Sequence, residues 1–430
     1  VLDLKRIREN PEQVEAQLRR REPNLSLKPL VELDERHREL LHRIETLRNE
    51  QKNLSKEVGK AKSQGADAGP ILARVSELKK AIAALEDPRR QAEEQLNALL
   101  VELPNPPHPS VPVDRDKKNN VEVRRWAEKR RFDFEPRNHL QLSERLGLFD
   151  FTRAAKMTGS QWPMYIGAGA RLEFALIQFM LEETIAKGFT PVLPPLLVNE
   201  TSMFTSGNLP KFADQLYKCQ DDPLYLVPTS EVPLTNLHRD EILEESDLPL
   251  YYCSYTPCFR REAGTYGAEE RGLVRVHQFH KVEMYKFTTP ETSYEELESL
   301  TAAAEDLVRK LELHSRTMLL VTGDLGQQAA KTYDVEVWLP GQNAYYEVSS
   351  CSNCEDYQAR RGNIRYRPTD APGQKAKPRF VHTLNGSALA TSRLMIALVE
   401  NNQQADGSIL IPEVLRKYLG GQERIEPKPD

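Results

Sequence analysis

Apolar positions recur at alternating spacings of three and four over two long stretches near the start of the chain. The first runs Leu30, Leu33, His37, Leu40, Ile44, Leu47, Gln51, Leu54, Val58; the second runs Ile71, Val75, Leu78, Ile82, Leu85, Arg89, Ala92, Leu96, Leu99. Such a repeat lays a single seam along a helix, and the Ser63–Pro70 segment between the two stretches is made of turn formers. The pattern predicts an antiparallel coiled-coil hairpin of two helices of roughly thirty residues, ~45 Å long at ~1.5 Å per residue. Pro88 and Arg89 break the second seam and predict a kink or a loosened layer there. Ahead of the hairpin, Leu4, Ile7, Val14 and Leu18 share one side of a short helix over residues 1–20, and Pro23 and Pro29 punctuate the chain between that helix and the hairpin.

The pattern changes after the hairpin. Leu103-Pro-Asn-Pro-Pro-His-Pro-Ser-Val-Pro112 reads as a stiff, extended linker, which divides the chain into residues 1–103, a linker at 104–112 and a larger domain at 113–430. In that domain short alternating runs mix with helical ones. Arg171–Lys187 is predicted helical, with Leu172, Leu176 and Phe179 on one side and Gly188 as its stop, followed by the proline-broken extended run 189–198. Thr292–Leu313 is a second helix. The strands lack regular βαβ spacing, so the predicted class is α+β, a mostly antiparallel sheet with helices packed on it. No internal repeat is present.

Composition narrows the function. Charged residues make up 29% of the 430 residues and the net charge is −5, so contact with a polyanion needs a local basic patch rather than a basic protein. Lys52, Lys56, Lys60 and Lys62 supply one near the hairpin tip, with only Glu57 opposing them. The five cysteines are an odd number and form no disulfide framework, which fits a reducing cytoplasm. The N-terminus lacks the apolar core of a signal peptide. No stretch approaches the ~18 apolar residues of a membrane span.

The candidate chemistry centres on Phe259-Arg260-Arg261-Glu262 and on Arg275-Val-His-Gln-Phe279-His-Lys281-Val-Glu283. On an extended strand Arg260 and Glu262 share a face, as do Phe279, Lys281 and Glu283. The segment Ala263–Val274 between them contains three glycines and reads as a loop that closes over an anionic ligand. An arginine fork for carboxylate or phosphate, a ring for a base and a carboxylate for an ammonium together describe a site for a nucleotide and an amino acid. Three further clusters accompany it: Thr229-Ser230-Glu231 after a strand-like run, Glu347-Val348-Ser349-Ser350 after another with Asp334–Trp338 as its partner strand, and Asn385–Ala390 leading into a helix that holds Arg393. Singly, each also reads as a capping box, a helix start or a strand end.

Together the clusters resemble the class II aminoacyl-tRNA synthetases, and among them the seryl branch, over essentially the whole chain. The helix ending at Gly188, with Phe189, Pro191, Pro194 and Pro195, is similar to the first class motif, which builds a dimer interface. The segment from Phe259 to Glu283 is similar to the second, and Gly386–Arg393 to the third. The seryl branch is marked more specifically by Thr229–Glu231, Arg275–Glu283, the run Ser349-Ser-Cys-Ser-Asn-Cys354 and Asn385–Ala390.

The resemblance implies an α+β catalytic domain of the class II antiparallel type preceded by a tRNA-binding arm, and formation of seryl-adenylate from L-serine and ATP followed by transfer to the 3′ end of tRNA(Ser); tRNA(Sec) as a second acceptor is neither required nor excluded. It implies Arg260, Glu283 and Arg393 as catalytic residues. Serine would meet Thr229, Ser230, Glu231, Arg260, Glu283, Asn385 and Ser387. ATP would meet Arg260, Arg261, Glu262, Val276, Phe279, Glu347, Val348, Ser349, Ser350 and Arg393, with the adenine ring between Phe279 and Arg393. Glu347 and Ser350 would hold Mg²⁺, an ion suited to hard oxygen donors, and Lys52, Lys56, Lys60 and Lys62 would meet tRNA phosphates. A cytoplasmic homodimer with no membrane contact is expected; zinc is not, because Cys253 and Cys258 lie an odd number of residues apart on a strand and the run holding Cys351 and Cys354 is accounted for by the family motif. Two alternatives remain at this point: a ligase that loads a carrier protein, whose relatives resemble a synthetase without the arm, and a non-catalytic paralogue, which should have lost Arg260, Glu283 or Arg393.

Overall fold

Heptad spacing yields two long helices and a short turn. The computed structural model describes residues 1–263, 272–369 and 376–427, and the chain divides into two compact units, Val1–Pro104 and Asn105–Asp430. In the first unit the predicted opening helix is two helices, α1 (Leu4–Glu9) and α2 (Pro11–Arg19). The break falls at Asn10 because the residue before a proline is pushed out of the helical region. Helices α3 (Lys28–Ser63) and α4 (Gly69–Glu102) form the hairpin, each about 50 Å long at ~1.5 Å per residue. Leu30, Ile44, Leu78, Ala92 and Leu96 are buried along it. The seam does not end at Leu99, which is exposed; the buried seat goes to Leu100, four residues beyond Leu96 instead of three. Helix α4 continues through Pro88, where Arg89 pairs with Glu86 and Glu93 on its own helix. Arg8 of α1 grips the buried Asp34 of α3 through both of its carboxylate oxygens, at 2.6 and 2.7 Å.

The second unit is built on one eight-stranded sheet. Its strands are β1 (Val121–Trp126), β2 (Thr190–Pro191), β3 (Leu250–Phe259), β4 (Gln278–Thr288), β5 (Ser315–Leu319), β6 (Lys331–Leu339), β7 (Ala344–Asn353) and β8 (His382–Ala390). Their order is β1-β5-β6-β7-β8-β4-β3-β2, and every pairing is antiparallel except β2 with β3. Helices α5 (Ala168–Ala186), α7 (Ser293–Lys310) and α8 (Thr391–Asn401) supply most of the apolar cover, and α6 (Glu231–Thr235) is a single short turn beside the sheet.

Alternation along the central strands separates a core face from a polar face. Val282 and Met284 of β4, Leu384 and Ala388 of β8, and Val335 and Val337 of β6 enter one apolar cluster with Leu297, Leu300 and Leu307 of α7. Gly386 must be a glycine for this packing, because a Cβ there would lie 2.8 Å from the Cys351 sulfur and 3.2 Å from Leu300. The proline-rich stretch does not hang free after Pro104. The buried Asn105 side chain donates to the carbonyls of Gln328 and Cys354, both at 2.8 Å, and the His108 amide donates to Ala330 at 2.9 Å. No helix among the described residues is long and apolar enough to cross a membrane.

Candidate active site

The polar face of β4, β6, β7 and β8 floors a cleft of about 470 Å³. From β4 come Phe279, Lys281 and Glu283, on one face as the alternation predicts. Asn385 and Ser387 enter from β8, with Ser387 directly across from Glu283 in the ladder. Thr229 and Glu231 enter at the start of α6, and Arg393 from the first turn of α8. At the amino-acid end, Glu231 is buried and its Oε1 accepts from Gln358 at 2.7 Å, Asn385 at 3.1 Å and Gln328 at 3.4 Å. Burial, reinforced by the nearby Glu283 carboxylate, pushes the Glu231 carboxyl up to about 7. Lys281 forms an ion pair with Glu283 and donates to the Thr229 hydroxyl at 2.8 Å.

At the other end, the Arg260 guanidinium lies 5.1 Å from the centre of the Phe279 ring. Arg393 donates to the carbonyls of Glu347 at 3.0 Å and Val274 at 3.2 Å, and its Nη1 lies 3.3 Å from the Glu347 carboxylate. Glu347 and Ser350 are three apart on β7, which on a regular strand would set them on opposite faces. The ladder with β6 skips Val348, and this bulge turns both side chains into the cleft. Asp334 of β6 sits opposite Ser350. Its carboxyl is buried beside Glu347 and held well above the usual carboxylate range by desolvation and that like charge. Its Oδ1 has no hydrogen-bond partner among the described residues.

Comparison with known proteins finds matches at both ends of the chain. The family model of the seryl-tRNA synthetase N-terminal domain matches residues 1–107, and that of the class II tRNA synthetase core domain (G, H, P, S and T) matches residues 217–402. The serine–tRNA ligase of Desulfitobacterium hafniense (strain Y51) is 50% identical over 420 residues, covering 98% of this chain and 99% of the relative. The chain belongs to the seryl-tRNA synthetase family. The serine–tRNA ligase of Geobacter sulfurreducens is 49% identical over 99% of this chain and 100% of its own. Among solved structures, the seryl-tRNA synthetase from Pyrococcus horikoshii complexed with ATP superposes with a TM-score of 0.92 at 42% identity, covering 100% of both chains. The cytoplasmic serine–tRNA ligase from Naegleria fowleri in complex with AMP gives 0.86 at 29% identity, covering 100% of this chain and 99% of that one.

In this synthetase the predicted site residues divide into two groups. Thr229, Glu231, Arg260, Glu262, Val276, Phe279, Glu283, Glu347, Ser350, Asn385, Ser387 and Arg393 all line the cleft. Four others do not. Ser230 is buried, with its hydroxyl 2.6 Å from that of Thr256; Val348 is in the apolar core; the Ser349 hydroxyl donates to the Ser387 carbonyl at 2.6 Å; and the Arg261 side chain is exposed. Strand β3 ends at Phe259, so Arg260 and Glu262 do not alternate on a strand as the sequence pattern predicts. Glu262 instead adopts a left-handed φ of 50°. The turn is held by the Arg261 amide on the Gln215 carbonyl at 2.9 Å and by Arg275, which donates to the Glu262 carboxylate at 2.7 Å. Residues 264–271 of the expected closing loop lie outside the described residues.

Several residues in the cleft or bonded to its side chains carry no local sequence signal. Gln358 and Gln328 reach Glu231 from segments about 100 residues or more away. Asp334 sits among the alternating charges of an ordinary strand. Lys281 shares the predicted polar face, and that was its only mark. The five cysteines are free, and no group of three or more His, Cys, Asp or Glu side chains that could hold a metal occurs among the described residues. Lys52, Lys56, Lys60 and Lys62 are all exposed on α3.

Proposed function

We propose that this chain is a serine–tRNA ligase that activates L-serine with ATP to seryl-adenylate and passes the seryl group to the 3′ end of tRNA(Ser). The observation that carries the reading is the convergence, in one cleft, of Arg260, Phe279 and Arg393 at one end with Glu231, Glu283 and Ser387 at the other. Arg260 can hold the serine carboxylate and the α-phosphate and offset the charge that builds as the two join. Phe279 and Arg393 take the adenine ring between them, and Glu262 accepts from its amino group, with Val276 lining the same pocket. Glu231 and Thr229 meet the substrate ammonium, and Glu283 and Ser387 meet its hydroxyl. No side-chain nucleophile is required; orientation and fixed charge supply the rate.

The donor set around Glu347 suits Mg²⁺. Its atoms are oxygens, and Asp334 Oδ1, which has no hydrogen-bond partner among the described residues and lies beside a second carboxylate, marks a place where a cation would relieve repulsion. Glu347 and Ser350 would hold the ion, which when bound neutralises phosphate charge.

The arm speaks for tRNA over a carrier protein as acceptor, because residues 1–107 match the seryl-tRNA synthetase N-terminal domain. Retention of Arg260, Glu283 and Arg393 in the cleft speaks against an inactive paralogue. A homodimer through the region from Arg171 to Val198 is supported by exposed Phe174 (68%) and Leu193 (86%), with Ile185, Leu196 and Leu197 also exposed. Sedimentation of a fully active monomer at micromolar concentration would refute it. A cytoplasmic setting accords with the free cysteines and is checked by cell fractionation. ATP–pyrophosphate exchange screened over the amino acids tests the activity. Serine should be activated and alanine rejected by roughly 10⁴-fold, because alanine leaves the hydroxyl-binding groups unpaired; equal exchange with both would overturn the reading.

A further inference from the structure

We propose that Lys281 is a positioning residue that sets which side chain the amino-acid pocket accepts, by holding Glu283 for a neutral hydroxyl and turning away a second cation. This rests on the reading above that Glu283 meets the substrate side chain.

Lys281 and Glu283 are two apart on β4 and share its cleft face, so their side chains meet without any contribution from loop geometry. Both are nearly inaccessible, at 7% and 2% exposure. An ammonium that deep is costly unless it is paired, and Lys281 has two partners: the Glu283 carboxylate and the Thr229 hydroxyl. The ion pair and the 3.4 Å contact from Thr229 both fall on Glu283 Oε2, which leaves Oε1 as the atom assigned to the substrate.

The second carboxylate of the pocket is held differently. Glu231 accepts from the amides of Gln358, Asn385 and Gln328, which are neutral donors that leave its charge to be met by the substrate. The pocket therefore contains one carboxylate in direct ion contact with a protein cation and one whose hydrogen bonds come from neutral amides, with Lys281 acting on it only at longer range. A ligand with a single ammonium has its place at Glu231. A hydroxyl can donate to Glu283 without disturbing the Lys281 pair, whereas a side-chain ammonium would be forced against Lys281. Like charges so placed repel strongly, because a site this buried is poorly screened.

The probe is L-2,3-diaminopropionate, which carries an ammonium where serine carries its hydroxyl. The wild-type enzyme should exchange pyrophosphate with serine and reject diaminopropionate by about 100-fold or more in kcat/KM. In Lys281→Met, serine activation falls and the diaminopropionate-to-serine ratio rises by about 100-fold or more, because Glu283 then needs a cation. Lys281→Arg retains a cation and should keep the wild-type ratio. A lysine with a purely structural role would lower both substrates together, so an unchanged ratio in Lys281→Met overturns the proposal. Wild-type enzyme that accepts diaminopropionate as well as serine also overturns it, even if Lys281→Met does not fold. A wild type that fails to activate serine would instead remove the functional reading beneath it.

Discussion

The helical arm and the cleft use the same charged residue types in opposite ways. Along the hairpin, exposed Arg48 pairs with half-buried Glu86 and exposed Arg74 with half-buried Glu50 across the two helices, where such solvent-accessible pairs contribute little and weaken with salt. The four tip lysines are likewise exposed. In the cleft, Glu231, Lys281 and Glu283 are buried, and each must have a partner, from the protein or from a ligand. Exposed charges on the arm should therefore tolerate replacement, while buried charges in the cleft should not. The contrast is one of solvation more than of residue identity.

The contrast is broken most directly at Arg260. Arg260→Ala should lower pyrophosphate exchange by about 10² to 10³-fold, the size expected for loss of one transition-state donor, while circular dichroism and melting temperature stay near wild type. Exchange at a near-normal rate would show that the cleft tolerates charge loss as the arm does.

Replacing Lys52, Lys56, Lys60 and Lys62 together with alanine should leave exchange unchanged and weaken tRNA charging. The logarithmic salt dependence of tRNA binding should become shallower by about one for each lysine that meets a phosphate. An unaltered slope would remove these lysines from the tRNA surface, and a matching loss of exchange would mean that arm and cleft are not separable.

The smallest effect is a pH dependence confined to the cleft. The Glu231 carboxyl, raised to about 7 by burial and by Glu283, holds a proton below that pH and cannot then balance a substrate ammonium. The serine KM should rise about tenfold per pH unit as the pH falls below 7, and Glu231→Gln should flatten that profile. The sign for stability is the reverse. A carboxyl raised above its unfolded value of 4.5 favours the folded, ligand-free state most fully below pH 4.5, and this contribution is lost as pH rises through 7. Serine should accordingly stabilise the enzyme more at pH 8 than at pH 6, as read by thermal unfolding. A serine KM that stays flat from pH 6 to 8 would place the Glu231 proton elsewhere.

Sequence alone determined what depends on neighbours along the chain. The two heptad runs specified the hairpin because helical periodicity repeats within a few residues, and only its details moved: the helix break at Asn10–Pro11 and the seat of Leu100 in place of Leu99. Two-residue alternation put Phe279, Lys281 and Glu283 on one face, again through local geometry. Tertiary structure decided whatever depends on a partner strand or a distant segment. Glu347 and Ser350 share the cleft because β7 bulges against β6 at Val348. Glu262 reaches it through a left-handed turn held by Gln215 and Arg275. Gln358 finds Glu231 across more than a hundred residues, and Asp334 becomes a cleft carboxyl only when β6 pairs with β7. Side-chain direction on a regular element follows from the backbone repeat, but bulges, turns and buried pairings are set by contacts that exist only once the sheet has closed.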